Sequence, residues 1–199
     1  MRNRYEPCVV KQEETADPNM ATSDKMIGSS AAWAAGYTGA GSRIAIIDTG
    51  ADVDHPSLDP DALKYALQGS NATIMTEADL TDEVLNQLNA YTRKAGLTAA
   101  DFYVNEKIPF GFNYVDANTD ITHDNDTQGD HGSHVTGIAA GNRFVKDEAG
   151  NYVAALDSVM TQGVAPDAQI LTMKVFGKGG GAYDSDYMVA IEDAVMLGC

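Results

Sequence analysis

The chain has 199 residues, the size of one domain, and 44% of them are hydrophobic, enough to build a sizeable core. Its 29 acidic residues outnumber its 13 basic ones, and the net charge of −16 repels phosphate backbones, so we expect no nucleic-acid partner. There is no run of about 18 apolar residues to span a membrane, and the only cysteines, Cys8 and Cys199, provide no disulfide framework.

The first part of the chain is predicted to be a polar lead-in followed by a short helix. Residues 1–28 are rich in Asp and Glu and are predicted to be extended. Ser29 and Ser30 can cap a helix, so we expect one over residues 31–35 that ends at Gly36.

A buried strand with an aspartate at its end comes next. Residues 43–47 form a short apolar run, typical of a buried strand, and Asp48 follows it directly. Catalytic and ligand-binding groups collect at the carboxyl ends of strands in open α/β sheets, which makes Asp48 a candidate catalytic residue. The alternative is an ordinary turn aspartate in Asp-Thr-Gly.

Residues 59–105 are predicted to be a surface insertion that lies between the two candidate motifs. Within it, residues 81–88 are predicted to form a capped amphipathic helix, with Val84, Leu85 and Leu88 on one face. After the insertion, aromatic residues at every second position indicate a strand; they are Phe110, Phe112 and Tyr114.

An acidic loop precedes the most informative helix of the chain. Residues 124–129 resemble the start of a calcium loop, but Val135 stands where that loop needs a bidentate Glu, so no metal site is assigned. His131 opens a helix over residues 131–140, and imidazole has the near-neutral pKa that a general base needs. His134 lacks the four-residue spacing and intervening Glu of a zinc protease, so we expect it to be packed and hydrogen-bonded.

The last third of the chain alternates strand and helix. Residues 170–175 are predicted to be a strand, and residues 184–197 a helix with apolar positions at helical spacing. Strands that alternate with helices indicate an α/β fold with a mostly parallel sheet and helices on both faces. The glycine-rich residues 177–183 lack the ending of a phosphate-binding loop.

Several ordered motifs together resemble the subtilisin-like serine proteases (peptidase family S8). They are residues 44–50 with His55-Pro56, residues 131–141, residues 163–166 and residues 173–176. Residues 107–116 are similar to the lactocepin-type cell-envelope proteinases within that family. The resemblance extends from about residue 5 to residue 199, and motifs in this order are more specific than any one alone.

The resemblance implies roles for the candidate residues. Asp48 would orient His131, and His131 would be the general base of an Asp-His-Ser triad that hydrolyses peptide bonds. The exposed edge that pairs with an extended substrate would be formed by Gly179, Gly180 and Gly181, with Tyr183 near a side-chain pocket. A flexible turn between strand and helix is the alternative for this glycine-rich stretch.

The resemblance also implies partners and a location. The expected partners are protein or peptide substrates and the protein's own propeptide, whose processing would fall in residues 1–28. No cofactor is expected for catalysis. Many relatives bind structural calcium with an Asp after the His-Pro pair, but that position is Ser57 here, so that site is not assigned and structural calcium elsewhere stays open. The expected location is extracellular or at the cell wall, although no signal peptide is visible.

The family's chain order places the nucleophilic serine after His131, and no candidate for it is found. Ser29-Ser30 lies before Asp48, and Ser133 belongs to the His131 helix. We therefore expect residues 29–199 to be the amino-terminal part of a subtilisin-like peptidase domain, truncated before the catalytic serine and inactive alone. The alternative is a truncated non-catalytic pseudoprotease or binding fragment.

Overall fold

The computed structural model describes residues 20–122, 124, 126–159 and 161–199. Most of the predicted lead-in, residues 1–19, lies outside the described residues. The extended conformation expected for residues 20–27 is wrong, because they form helix α1, Met20–Ile27. Helix α2, Ser29–Ala34, begins two residues before the predicted start. Its N-cap is Gly28 in the left-handed conformation (φ 83°), and no side chain caps the helix.

The remaining elements follow in chain order. The strands are β1 Arg43–Asp48, β2 Phe110–Asn113, β3 Phe144–Lys146, β4 Tyr152–Ala154 and β5 Gln169–Lys174. The helices are α3 Pro60–Ala66, α4 Asp82–Leu85, α5 Asn89–Arg93, α6 Ala99–Phe102, α7 His131–Ala140, α8 Ala155–Ser158 and α9 Asp184–Met196. Two 3-10 turns lie at Pro56–Leu58 and Glu77–Asp79.

A parallel sheet in the order β1-β5-β2 forms the centre of the fold. Strands β1 and β5 are paired along their whole length. Arg43 lies opposite Gln169 and Asp48 lies opposite Lys174, so both strands end at the same edge of the sheet. Strands β3 and β4 form a separate antiparallel pair. The α/β fold with a mostly parallel sheet is therefore confirmed.

Helices cover both faces of the sheet because its apolar side chains alternate. Ile46 of β1 packs in a cluster with Ala140 of α7. Its neighbours Ala45 and Ile47 point to the other face, against a second cluster that includes Ala190 of α9. A strand buried on both faces reads as a continuous apolar run, which is the pattern of residues 43–47.

The insertion is part of the core rather than an addition to the surface. It contributes Met75, Leu80, Leu85, Leu88, Ala90 and Phe102 to the cluster on the α9 face. The Phe102 ring stacks on Phe110 of β2 with centroids 5.4 Å apart. The predicted amphipathic helix is present but shorter, α4, with Thr81 as its N-cap and Leu85 buried.

Helix α9 is close to its predicted bounds, but the face it buries differs from the apolar face in the sequence. Met188, Ile191 and Val195 are 52–65% exposed, whereas Asp186 and Asp193 are buried beside Ala190. The two carboxylates are buried because they bind groups of the insertion, as detailed below. In the described part of the chain, no helix has the length and hydropathy that a membrane span requires.

Candidate active site

The fold brings the two predicted catalytic residues into contact. Asp48 is the last residue of β1, and His131 is the first residue of α7, which packs across the same strand. The His131 Nδ1 atom lies 2.8 Å from Asp48 Oδ1 and 3.0 Å from Oδ2. With the proton on Nδ1 donated to the carboxylate, Nε2 is left to accept a proton from another group.

Thr49 holds this pair in place with three of its polar atoms. Its N–H donates to Asp48 Oδ1 at 2.7 Å, and its Oγ1 accepts from the N–H of Gly132 at 2.8 Å. Its carbonyl accepts from Lys174 Nζ at 2.6 Å. One residue thus orients the carboxylate and fixes the start of the helix that carries His131.

The buried Lys174 connects the turn after Asp48 with the loop before α7. Besides its bond to Thr49, its ammonium is paired with the carboxylate of Asp126, and both side chains are almost fully buried. Sequence reasoning missed Thr49 and Lys174 as supporting residues. The available signal was a lysine at the end of a mostly apolar strand, because a buried lysine needs a partner.

Close backbone contact explains the glycines around the pair. A Cβ on Gly132 would lie 2.1 Å from the carbonyl oxygen of Gly50, and a Cβ on Gly50 would lie 2.1 Å from the carbonyl oxygen of Ile121. Gly50 also has a φ of 103°, which disfavours other residues. Helix α7 can therefore approach the turn after β1 only with glycine at these positions.

The electrostatics of the pair suit a proton acceptor. The hydrogen bond to Asp48 and the charge of that carboxylate raise the pKa of His131 above its usual 6.5. The His131 side chain is 67% exposed, while the Asp48 side chain is 15% exposed. The ring is accessible to a reacting partner, and the carboxylate that orients it is shielded.

A groove of about 1110 Å³ opens beside His131. It runs between α7 and the segment that follows β1, and its walls include Asp52, His55, Ser57, His134 and Lys146. His134 is exposed in this groove, so its expected role as a packed histidine is wrong.

The predicted substrate-binding residues lie on a different segment, at the end of β5. Gly179, Gly180 and Gly181 are exposed, and Gly180 has a φ of 82°. A Cβ on Gly180 would be 3.2 Å from the side chain of Gln128, three residues before His131. Tyr183 is 67% exposed. The stretch follows the strand that pairs with β1, and its backbone is accessible.

No metal site emerges from the acidic residues that the structure describes. Among residues 20–122, 124, 126–159 and 161–199, no group of three or more potential His, Cys, Asp or Glu ligands is close enough to hold an ion. In the predicted acidic loop, Asp126 is paired with Lys174, and Asn125 lies outside the described residues. Ser57 bonds to the His55 ring at 2.7 Å.

Two of the serines that the sequence singled out are engaged elsewhere. The Ser133 hydroxyl accepts from the N–H of Asp52 at 2.7 Å, and the Ser29 hydroxyl donates to the carbonyl of Asp24 at 2.9 Å. Neither is a partner of His131.

Comparison with known proteins points to one family. The subtilase family (peptidase S8) matches residues 39–198, which contain both Asp48 and His131. The chain is 32% identical over 188 residues to the PI-type proteinase of Lactococcus lactis subsp. cremoris, a match that covers 91% of the chain. It is 28% identical over 201 residues, or 98% of the chain, to the minor extracellular protease Vpr of Bacillus subtilis.

The chain spans a small part of these relatives. It matches 8% of the length of the PI-type proteinase and 18% of the length of Vpr. It also matches 8% of the length of bacillopeptidase F of Bacillus subtilis, at 30% identity.

Proposed function

Because the chain belongs to the subtilase family of serine peptidases, we propose that Asp48 and His131 are two members of the catalytic triad of a subtilisin-like endopeptidase. The third member would be a serine contributed by a further part of the peptidase domain. The observation that carries this proposal is the hydrogen bond of 2.8 Å between His131 Nδ1 and Asp48 Oδ1.

This arrangement supports acyl transfer to serine. His131 Nε2 would take the proton of the serine hydroxyl as its oxygen attacks the peptide carbonyl carbon. The imidazolium would then give that proton to the leaving amine as the peptide bond breaks. Asp48 would remain ionised and stabilise the imidazolium. Water would then attack the acyl carbon while His131 takes its proton, and that proton would return to the serine oxygen as the acyl–serine bond breaks.

The proposed substrate is an extended stretch of protein or peptide. Exposed main-chain groups of Gly179, Gly180 and Gly181 would pair with its backbone, apart from the Gly180 N–H, which donates to the Gly177 carbonyl at 3.0 Å. Tyr183 would contact a side chain. The relatives named as proteinases, one of them extracellular, support an extracellular or cell-wall location. A propeptide of the protein's own would be a further partner.

The test is a protease assay on the gene product that contains this chain, with a fluorescein-labelled denatured protein as substrate. We expect hydrolysis, with kcat reduced about 10⁶-fold by His131→Ala and about 10⁴-fold by Asp48→Asn, as when other triads of this kind are dismantled. Asp157→Asn is the matched control, because Asp157 is exposed on α8. This control should leave kcat unchanged.

Two outcomes would contradict the proposal. Hydrolysis that survives His131→Ala would assign the chemistry to other residues. A folded gene product that binds the labelled protein but never cleaves it would favour the non-catalytic alternative.

A further inference from the structure

The insertion is attached to α9 by a buried carboxylate. Asp193 is fully buried, and its Oδ1 accepts from the N–H and the side-chain amide of Asn89 at 2.7 and 3.0 Å. Its Oδ2 accepts from the N–H of Ala90 and the hydroxyl of Tyr114, both at 2.9 Å. Hydrogen bonds from several donors stabilise a buried carboxylate, so the start of α5 is fixed to α9.

A second contact comes from the other end of α5. Arg93 Nη1 donates to the carbonyl of Tyr114 at 2.5 Å and to Asp186 Oδ1 at 2.6 Å. The Asp186 side chain is 6% exposed and that of Arg93 is 27% exposed. A charged pair that is shielded from water in this way is stronger than a surface ion pair. The guanidinium also reaches the carbonyl of Ser185 at 3.5 Å.

Two of the residues that Arg93 contacts, Ser185 and Asp186, lie just after the glycine-rich stretch. Asp186 lies in the first turn of α9, and its N–H donates to the carbonyl of Tyr183 at 2.9 Å. At the other end of the stretch, the N–H of Lys178 donates to Asp116 Oδ2 at 3.1 Å. A Cβ on Gly179 or Gly181 would meet no atom within 4 Å, so these two glycines face open space between the two anchors.

We infer that Arg93 is a positioning residue for substrate binding: the insertion, through Arg93, holds the carboxyl-terminal anchor of residues 177–183 so that their backbone is preorganised to pair with an extended peptide. This inference rests on the proposed function, because it assigns peptide binding to the same stretch. A fixed edge loses less conformational entropy when a peptide adds to it, and binding is correspondingly tighter. The insertion would thus act on the substrate without touching it.

The experiment compares Arg93→Met, Arg93→Lys and the control Lys94→Met in the 199-residue chain. Lys94 is the next residue and is exposed, so the control removes the same charge without removing the contacts to α9. Hydrogen–deuterium exchange reports the order of residues 177–187. Fluorescence anisotropy with fluorescein-labelled oxidised insulin B chain reports peptide binding.

For Arg93→Met we expect about tenfold faster exchange in residues 177–187 and about tenfold weaker peptide binding, the effect of losing the charge-assisted hydrogen bond to Asp186. Exchange in β1 and β5 should not change. For Arg93→Lys we expect an exchange rate and a peptide affinity between those of the unaltered chain and those of Arg93→Met. The ammonium keeps the charge but lacks the planar guanidinium that contacts Tyr114 and Asp186 together. Lys94→Met should match the unaltered chain.

Unchanged exchange in residues 177–187 of Arg93→Met would overturn the inference, and so would faster exchange with unchanged peptide affinity. Failure of the unaltered chain to bind the peptide would count against the proposed function. In that case, hydrogen–deuterium exchange alone would test whether Arg93 orders residues 177–183.

Discussion

Replacement of Gly132 by alanine should move α7, which carries His131, away from the turn that follows Asp48. The added Cβ would lie 2.1 Å from the carbonyl oxygen of Gly50 and 3.0 Å from its nitrogen. To reach an ordinary contact of 3.4 Å, α7 and the turn after β1 must move apart by about 1.3 Å. That movement would lengthen the bond of 2.8 Å from the Gly132 N–H to Thr49 Oγ1.

The cost of this change can be estimated from overpacking. The two Gly50 atoms that the Cβ meets belong to the backbone, which cannot rotate away as a side chain can, so we expect a loss of about 3 kcal/mol in unfolding free energy. For a chain of this size that corresponds to about 6–12 °C in Tm. We expect the pKa of His131 to fall as well, because Asp48 would be farther from its ring.

The matched control is Gly137→Ala, the same substitution in the same helix. A Cβ on Gly137 would meet no atom within 4 Å, so alanine there should stabilise the helix by about 0.5–1 kcal/mol. Denaturant unfolding and NMR titration of His131 measure the two effects. Equal stability of the two variants would refute the argument that backbone contact determines the approach of α7.

The other predictions concern two titrating groups. Asp48→Asn should lower the pKa of His131 toward its usual 6.5, because the substitution removes the carboxylate that raises it; NMR titration measures this, and an unchanged pKa would contradict the observed pairing. Burial lowers the pKa of Lys107 to about 7, while its Nζ donates to the carbonyls of Pro166 and Ala168. Between pH 7 and about 10 the unfolded chain binds a proton that the folded chain lacks, so the stability should rise with pH by up to about 1.4 kcal/mol per unit. Lys107→Met should remove this slope in denaturant unfolding measured at pH 7 and pH 9; an equal slope in both chains would refute the assignment.

Asp48 and His131 could be identified from the sequence because each lies at the end of a predictable secondary-structure element. Asp48 ends an apolar run and His131 begins a glycine-containing helix, and these local patterns predict their positions at one edge of the sheet. Their contact depends on the packing of α7 against β1. This packing brings His131 Nδ1 within 2.8 Å of Asp48 Oδ1, although the two residues are 83 positions apart in the chain. The supporting residue Thr49 was missed because its role depends on that packing.

The insertion shows the opposite case. Its helix after Thr81 was predictable from capping and amphipathicity, but its place in the core was not, because a hydrophobic face does not identify the surface that covers it. Likewise, the local pattern of α9 does not predict that Asp186 and Asp193 are buried. They are buried because Arg93, Asn89 and Tyr114 supply hydrogen bonds from distant parts of the chain.

The sequence by itself determined the α/β class, the strand that ends in Asp48 and the helix that begins with His131, since these follow from local periodicity and chain order. Only the tertiary structure decided that the insertion completes the core, that Thr49 and Lys174 hold the candidate pair, and that the buried face of α9 carries acids. The physical reason is that the burial of a polar side chain depends on the partner that satisfies it, and here each partner comes from a distant part of the chain.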